Sequence, residues 1–271
     1  MELFTRYYDQ DLVLKRGVDI SLPQRVDHRT ALFYVHGGGW SAGSRDLFHT
    51  HLQYFSQKGY LCASAGYRLT PKVQLAEQMG DVFAGYETFL SYIREKELDI
   101  RTIVVLGSSA GAHLASLLAL TLPESWRRST ELRNGPEAAE QREGWLQPAA
   151  CVSINGPGTL EQWDDMNPAI KNEIERLVGA KYGETAAPFR QASPIVHVKE
   201  GSPDFLFLIV GLEDCFPHTS IYEMDEKLKQ AGSASEVILF PEAEHGFFYD
   251  VKTEHQRQGL TVLEPFLLRY G

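Results

Sequence analysis

The stretch Gly107-Ser108-Ser109-Ala110-Gly111 constrains this chain more than any other. Ile103-Val104-Val105-Leu106 leads into it and reads as a short buried strand, and Ala112 to Leu120 leads out and reads as a helix. A strand that becomes a helix across five residues needs a very sharp turn. In such a strand–Gly-x-Ser-x-Gly–helix turn the middle residue is held in strained backbone geometry, with its side chain above the sheet. Its neighbours two positions away must be small, and Gly107 and Gly111 meet that demand. Gly and Ser also fill ordinary loops, so the pentapeptide takes its meaning from the strand before it and the helix after it.

The rest of the chain repeats this alternation. Alternating segments around Leu12-Val13-Leu14 and Val18-Asp19-Ile20 predict one or two antiparallel edge strands. Ala31 to Val35 is a continuous apolar run, as a strand covered on both faces requires. It ends in His36-Gly37-Gly38-Gly39-Trp40. Helices are predicted over 46–58 and 75–96, the second with Met79, Val82, Phe83, Tyr86, Phe89, Leu90 and Ile93 on one face. Strands follow at 60–67, 150–154, 205–210 and 236–240, with helices at 219–230 and 255–269. Pro265 should kink or shorten the last. Strand–helix alternation predicts an α/β fold, a mostly parallel eight-stranded-type sheet flanked by helices, over one domain, 1–271. Two insertions, 123–147 and 156–198, break the rhythm after sheet strands. The second carries Asn167-Pro168 as cap and first helical residue and is expected to line the site as a small partial cap.

A serine hydroxyl needs a base before it can act as a nucleophile, and the base needs an acid to orient it. Ser109 is the candidate nucleophile, and His245, in the loop after strand 236–240, is the candidate base. Asp214 is the preferred acid, in Gly211-Leu212-Glu213-Asp214 after strand 205–210, with Glu213 as its adjacent competitor. The order Ser, Asp, His is that of the α/β-hydrolase fold. All three leave the carboxyl ends of strands, where open α/β sheets build their sites. Gly37, Gly38 and Gly39 let bare backbone approach a ligand. The N–H groups of Gly38, Gly39 and Ala110 are the candidate oxyanion donors. Fixed donors stabilise the negative oxygen that forms when Ser109 attacks a carbonyl, each worth about 3–4 kcal/mol.

Net charge of −10 over 271 residues argues against nucleic acid and anionic membrane surfaces as partners. No stretch approaches the ~18 apolar residues of a membrane span, and Met1 to Asp9 holds no signal-like apolar run. A cytoplasmic protein is expected. Cys62, Cys151 and Cys215 show no metal-ligand spacing. The first two sit in apolar runs, while Cys215 follows the candidate acid near a pocket. His49 and His51, two apart on a helix, cannot share an ion. His36 and His113 read as structural, holding the glycine loop and the elbow helix, and Arg68 with Asp81 reads as a structural ion pair. No metal and no cofactor is implied. A small-molecule substrate is, and a homodimer is compatible with the chain.

These residues together resemble the α/β-hydrolase esterases of the hormone-sensitive-lipase-like and feruloyl-esterase-like (acetyl esterase) groups. The resemblance rests on His36 to Trp40, Tyr67-Arg68-Leu69-Thr70-Pro71, Gly107 to Gly111, Ser193-Pro194-Ile195, Gly211 to Asp214 and His245-Gly246-Phe247. It implies a carboxylic ester hydrolase with nucleophile Ser109, base His245, acid Asp214 and the same three oxyanion donors. Ser108 stands where the lipase-like group often has Asp and the other often has His, and Ala112 replaces a frequent Gly. Only 35 residues precede His36, too few for the large N-terminal cap of many lipase-like members. The resemblance therefore implies short-chain acyl esters, with formamide hydrolysis of the kynurenine-formamidase kind as the rival. A non-catalytic ligand-binding role on the same fold would be expected to lose a triad residue.

Overall fold

The computed structural model describes residues 1–9, 13–126, 145–213 and 215–271. Eight strands form one sheet: β1 Glu2–Tyr7, β2 Gly17–Leu22, β3 Thr30–Val35, β4 Cys62–Ala65, β5 Thr102–Ser108, β6 Ala150–Ile154, β7 Asp204–Leu212 and β8 Ser235–Glu244. Their order is β1-β2-β4-β3-β5-β6-β7-β8. β2 runs antiparallel to β1 and β4, and every pair from β4 to β8 is parallel. The carboxyl ends of β3, β5, β6, β7 and β8 therefore stand side by side.

Alternating side chains split the core into two layers. Ala31, Phe33, Val35, Ile103 and Val105 pack with helices α2 (Leu75–Glu95), α3 (Ala110–Leu120) and, further along the chain, α4 (Pro168–Val178) and α6 (Thr219–Gln230). Leu32, Tyr34, Val104 and Leu106 face the other way, toward α1 (His49–Gln57) and α7 (Glu254–Leu267). A short α5, Ala187–Gln191, lies in the second insertion. Burial on both faces is why the central strands are apolar runs rather than alternating ones.

Most predicted elements form, and the differences have physical causes. The helix predicted over 46–58 opens as a 3-10 turn, Arg45–Phe48, before α1. β1 has no counterpart among the predicted strands, because its side chains are largely exposed and carry no buried-strand pattern. Leu12 lies outside the described residues, and among the described ones the alternation at Val18-Asp19-Ile20 forms β2. β8 runs on through Pro241 to Glu244. Proline is tolerated because β8 is an edge strand with one side free of ladder bonds. Pro265 sits inside α7, which ends at Leu267 and gives way to a 3-10 turn. Asn167 caps α4 as predicted, its Oδ1 accepting from Ala169 N at 2.9 Å. Asp81, 1% exposed, takes Arg68 Nε and Nη2 at 2.8 and 2.9 Å, and Arg16 Nε at 3.1 Å. The first insertion is described only at 123–126 and 145–147.

Candidate active site

Ser109 follows β5 directly, with φ 56° and ψ −123°. A non-glycine residue in that region is strained and persists only where its surroundings enforce it. Here they do. Ser109 N donates to Ile154 O at 2.8 Å, binding the turn to β6, and His113 N donates to Ser109 O at 3.1 Å, starting α3. The flanking glycines are obligatory by contact. A Cβ on Gly107 would stand 2.2 Å from Gly111 O, and one on Gly111 would stand 2.1 Å from Val35 O. Ser108 is buried, whereas Ser109 is partly exposed.

The glycine loop leaves β3 beside this turn. A Cβ on Gly37 would lie 3.2 Å from the Ser109 Cβ and 2.0 Å from the Tyr249 hydroxyl. Gly38 has φ 115° and its Cβ would meet Ala42 O at 2.5 Å, while Gly39 has φ 57°. No backbone carbonyl among the described residues takes the N–H of Gly38, Gly39 or Ala110. Ala110 opens α3, where the first N–H groups lack helical partners and favour negative charge.

Two buried histidines brace these loops. His36 Nδ1 faces Gly37 O at 2.8 Å, and its ring stacks on Tyr67 at 4.2 Å. His113 Nδ1 accepts from Trp40 Nε1 at 3.2 Å, and its Nε2 donates to Ala192 O at 2.7 Å. Desolvation pushes both imidazoles down to about 4, so they stay neutral props. Trp40 O in turn accepts from Thr70 N at 3.0 Å and Gln78 Nε2 at 2.9 Å. His49 pairs with Asp19 at 2.7 Å, whereas His51 is buried among Tyr34, Phe48, Phe55 and Phe248, so the two histidines do point to different surroundings.

His245 lies one residue past β8, and its Nδ1 is 2.9 and 3.0 Å from the two carboxylate oxygens of Glu213. The register explains the meeting. Leu212 pairs with Glu244, so Glu213 and His245 are the next residue on adjacent parallel strands. That level is reached through a bulge. Val210 pairs with Phe240, so β8 advances four residues while β7 advances two. Gly211 accommodates the bulge, since a Cβ there would stand 2.1 Å from Pro241 O. Asp214, the carboxylate preferred from sequence, lies outside the described residues; among the described ones the carboxylate on the imidazole is its neighbour Glu213.

Sequence reasoning missed three supports. Asn155, with φ 51°, follows β6, and with its amide nitrogen on Leu208 O at 3.1 Å its oxygen accepts from Gly246 N at 3.2 Å. It thereby ties the histidine loop to β7. Tyr249 donates to Ser108 O at 3.4 Å, tying the same loop to the serine turn. Phe216 packs 6.0 Å from His245, 6.4 Å from Trp40 and 6.3 Å from Trp163, ring centre to ring centre. Trp163 belongs to the 156–198 insertion, which therefore reaches the aromatic wall beside His245. The insertion is closed on itself by Leu160 N, which donates to Ser193 Oγ at 2.7 Å, and is held to α3 at Ala192, the carbonyl on His113. Among the described residues no helix is long and apolar enough to cross a membrane.

A family model, BD-FAE, matches residues 18–228. The chain is 28% identical over 221 residues to the probable carboxylic ester hydrolase LipM of Mycobacterium tuberculosis, covering 80% of this chain and 49% of that protein. It is 30% identical over 225 residues to esterase LipC of the same organism, covering 80% and 52%. It thus spans about half the length of these relatives. A thermophilic esterase of Thermogutta terrifontis, Est2, has the same fold, with a TM-score of 0.77 at 23% identity over 99% of this chain and 92% of that one. Its sarin-phosphonylated form superposes with a TM-score of 0.81 at 22% identity, over 99% and 95%.

Proposed function

Because this chain belongs to the BD-FAE family, with an α/β-hydrolase fold, we propose that it is a serine carboxylic ester hydrolase acting on short-chain acyl esters. The observations that carry the reading are the strained Ser109 at the start of α3 and, in a loop that Tyr249 ties to the serine turn, an imidazole aligned by a carboxylate. Glu213 holds the Nδ1 proton of His245 and leaves Nε2 with the lone pair. His245 takes the Ser109 proton as Oγ attacks the ester carbonyl. The oxyanion rests on the N–H groups of Gly38, Gly39 and Ala110. Protonated His245 then gives its proton to the leaving alcohol. Water, activated by the same imidazole, releases the acid from the acyl-enzyme.

The acid is assigned to Glu213 rather than Asp214, on its two oxygens within 3.0 Å of Nδ1. Short acyl groups are favoured by the bulk of Phe216 beside the imidazole, backed by Trp40 and Trp163 on Phe216. The substrate is a small-molecule ester. A cytoplasmic setting, which cell fractionation tests, fits the free thiols of Cys62 and Cys151. The homodimer is likewise a proposal, and sedimentation velocity reads it directly.

The test is hydrolysis of p-nitrophenyl esters from acetate to laurate by the native protein and Ser109→Ala. Acetate should be turned over well and laurate poorly. Ser109→Ala should lose about 10⁴-fold or more in kcat, on the scale of a removed triad member. Equal rates for the two proteins would remove Ser109 as nucleophile.

A further inference from the structure

β1 and β8 are the edges of the sheet, and each leaves one side of its backbone without a ladder partner among the described residues. The two edges differ in what a second copy would meet there. β8 carries Glu236, Pro241, Glu242 and Glu244 and no cation, so a copy of itself would find a missing donor and like charge. β1, Glu2-Leu3-Phe4-Thr5-Arg6-Tyr7, has no proline and one charge of each sign.

The hydrogen bonds decide which groups of β1 turn outward. Tyr7 lies opposite Gly17, and Tyr8 N donates to Arg16 O at 3.2 Å. Gly17 O is turned the other way and accepts from Gly66 N at 2.9 Å, just past β4. Antiparallel ladders alternate, so Glu2, Phe4 and Arg6 turn their N–H and C=O groups to β2, and Leu3, Thr5 and Tyr7 turn theirs away from it. The side chains alternate as well. Phe4 packs on Tyr92 at 5.4 Å and Arg6 donates to Glu95 at 2.6 and 3.0 Å, both on α2. On the opposite face Met1, Leu3 and Tyr7 are 45, 44 and 36% exposed.

We propose that the outer edge of β1 pairs with β1 of a second copy of this chain, antiparallel about a two-fold axis at Phe4. This gives the homodimer a surface and rests on that reading. For outward groups to meet outward groups the axis must pass through a residue. Among such axes only the one at Phe4 sets Glu2 of each copy opposite Arg6 of the other. Leu3 of each then exchanges both backbone bonds with Thr5 of the other, Phe4 faces Phe4, and Met1 comes opposite Tyr7. Charge favours the same axis. Arg6 and Lys96 both stand on Glu95, at 2.6 and 3.6 Å, so that end of β1 carries excess positive charge. Glu2, at the other end, forms no ion pair among the described residues. The two-fold lays each negative end on the positive end of the other copy. It uses the same patch on both chains, so the contact closes as a dimer and does not grow into a filament.

The experiment is sedimentation velocity of the full chain over a wide range of concentration, on the native protein, Glu2→Arg, Arg6→Glu and the equimolar mixture of these two variants. The native protein should pass from monomer to dimer as concentration rises. Each variant alone sets like charges opposite at both ends and should raise the dimer dissociation constant by about tenfold or more. Mixed, the variants set opposite charges face to face again, and the mixture should dimerise as the native protein does. Leu3→Pro removes an outward N–H and no bond to β2, and should abolish the dimer while circular dichroism stays native. Where Arg6→Glu fails to fold, Glu2→Arg and Leu3→Pro decide. A native protein that stays monomeric throughout would end the homodimer reading and this inference together. A dimer that the β1 variants leave unchanged would keep the homodimer and overturn the inference. Assemblies larger than a dimer would mean β1 on β8 and would overturn it, as would a mixture no better than its components.

Discussion

The nucleophile side and the acid–base side of this site are built by different means. On the nucleophile side backbone presses on backbone. A methyl group on Gly107, Gly111 or Gly38 would meet a main-chain carbonyl at 2.2, 2.1 and 2.5 Å. On the acid–base side, side chains meet side chains and loops: Glu213 on His245, Phe216 beside the ring, Asn155 between β7 and Gly246. A backbone-on-backbone contact admits one residue type and so leaves a sharp mark in a sequence. A side-chain contact can be supplied from more than one nearby position and leaves a blurred one.

The contrast can be broken experimentally, and the largest effect should come from the backbone contacts. Gly111→Ala drives a methyl group into Val35 O and should cost about 10³-fold or more in activity, or the soluble protein itself. Gly80→Ala, in α2 with nothing within 4 Å of the added carbon, should melt at the same or a higher temperature. Equal behaviour of the two variants, read by thermal denaturation and ester hydrolysis, would end the claim that close approach dictates the elbow.

Next in size is the choice between adjacent carboxylates. Glu213→Gln should lower kcat by about 10³–10⁴-fold, as loss of the tautomer-holding acid does elsewhere. Asp214→Asn should stay within several-fold of the native rate. The opposite ranking would move the acid to Asp214 and with it the register argument.

The smallest effect is on stability. His36 and His113, both on the nucleophile side, titrate near 4 when folded because burial disfavours their charge, as does His51 on the buried face of α1. Unfolded, they would titrate near ~6.5. Between those values the unfolded chain binds more protons, so their contribution is whole above ~6.5 and declines as pH falls toward 4. The melting temperature should therefore fall from pH 6.5 to about 5, above the range in which most carboxylates titrate. A flat profile across that window would mean that these imidazoles are not buried as described.

Much of this molecule is legible in its sequence. The apolar runs at 31–35, 103–106, 150–154 and 205–210 announce strands buried on both faces, because only such strands can afford no polar alternation. The Met79 to Ile93 stripe announces α2, whose apolar face covers the sheet. Asn167 and Pro168 announce the start of α4 through their own capping chemistry. β1 is not legible, because a largely exposed edge strand carries no burial pattern.

The sequence by itself determined the serine turn and the glycine loop, since steric exclusion at Gly107, Gly111 and Gly38 acts through neighbouring backbone and leaves no other residue to choose. Only the tertiary structure decided which side chain meets His245. That depends on a bulge across two strands some thirty residues apart, which brings the imidazole level with Glu213. In an unbroken register it would stand level with Cys215. Strand register is set by the packing of the whole sheet, and no local spacing records it.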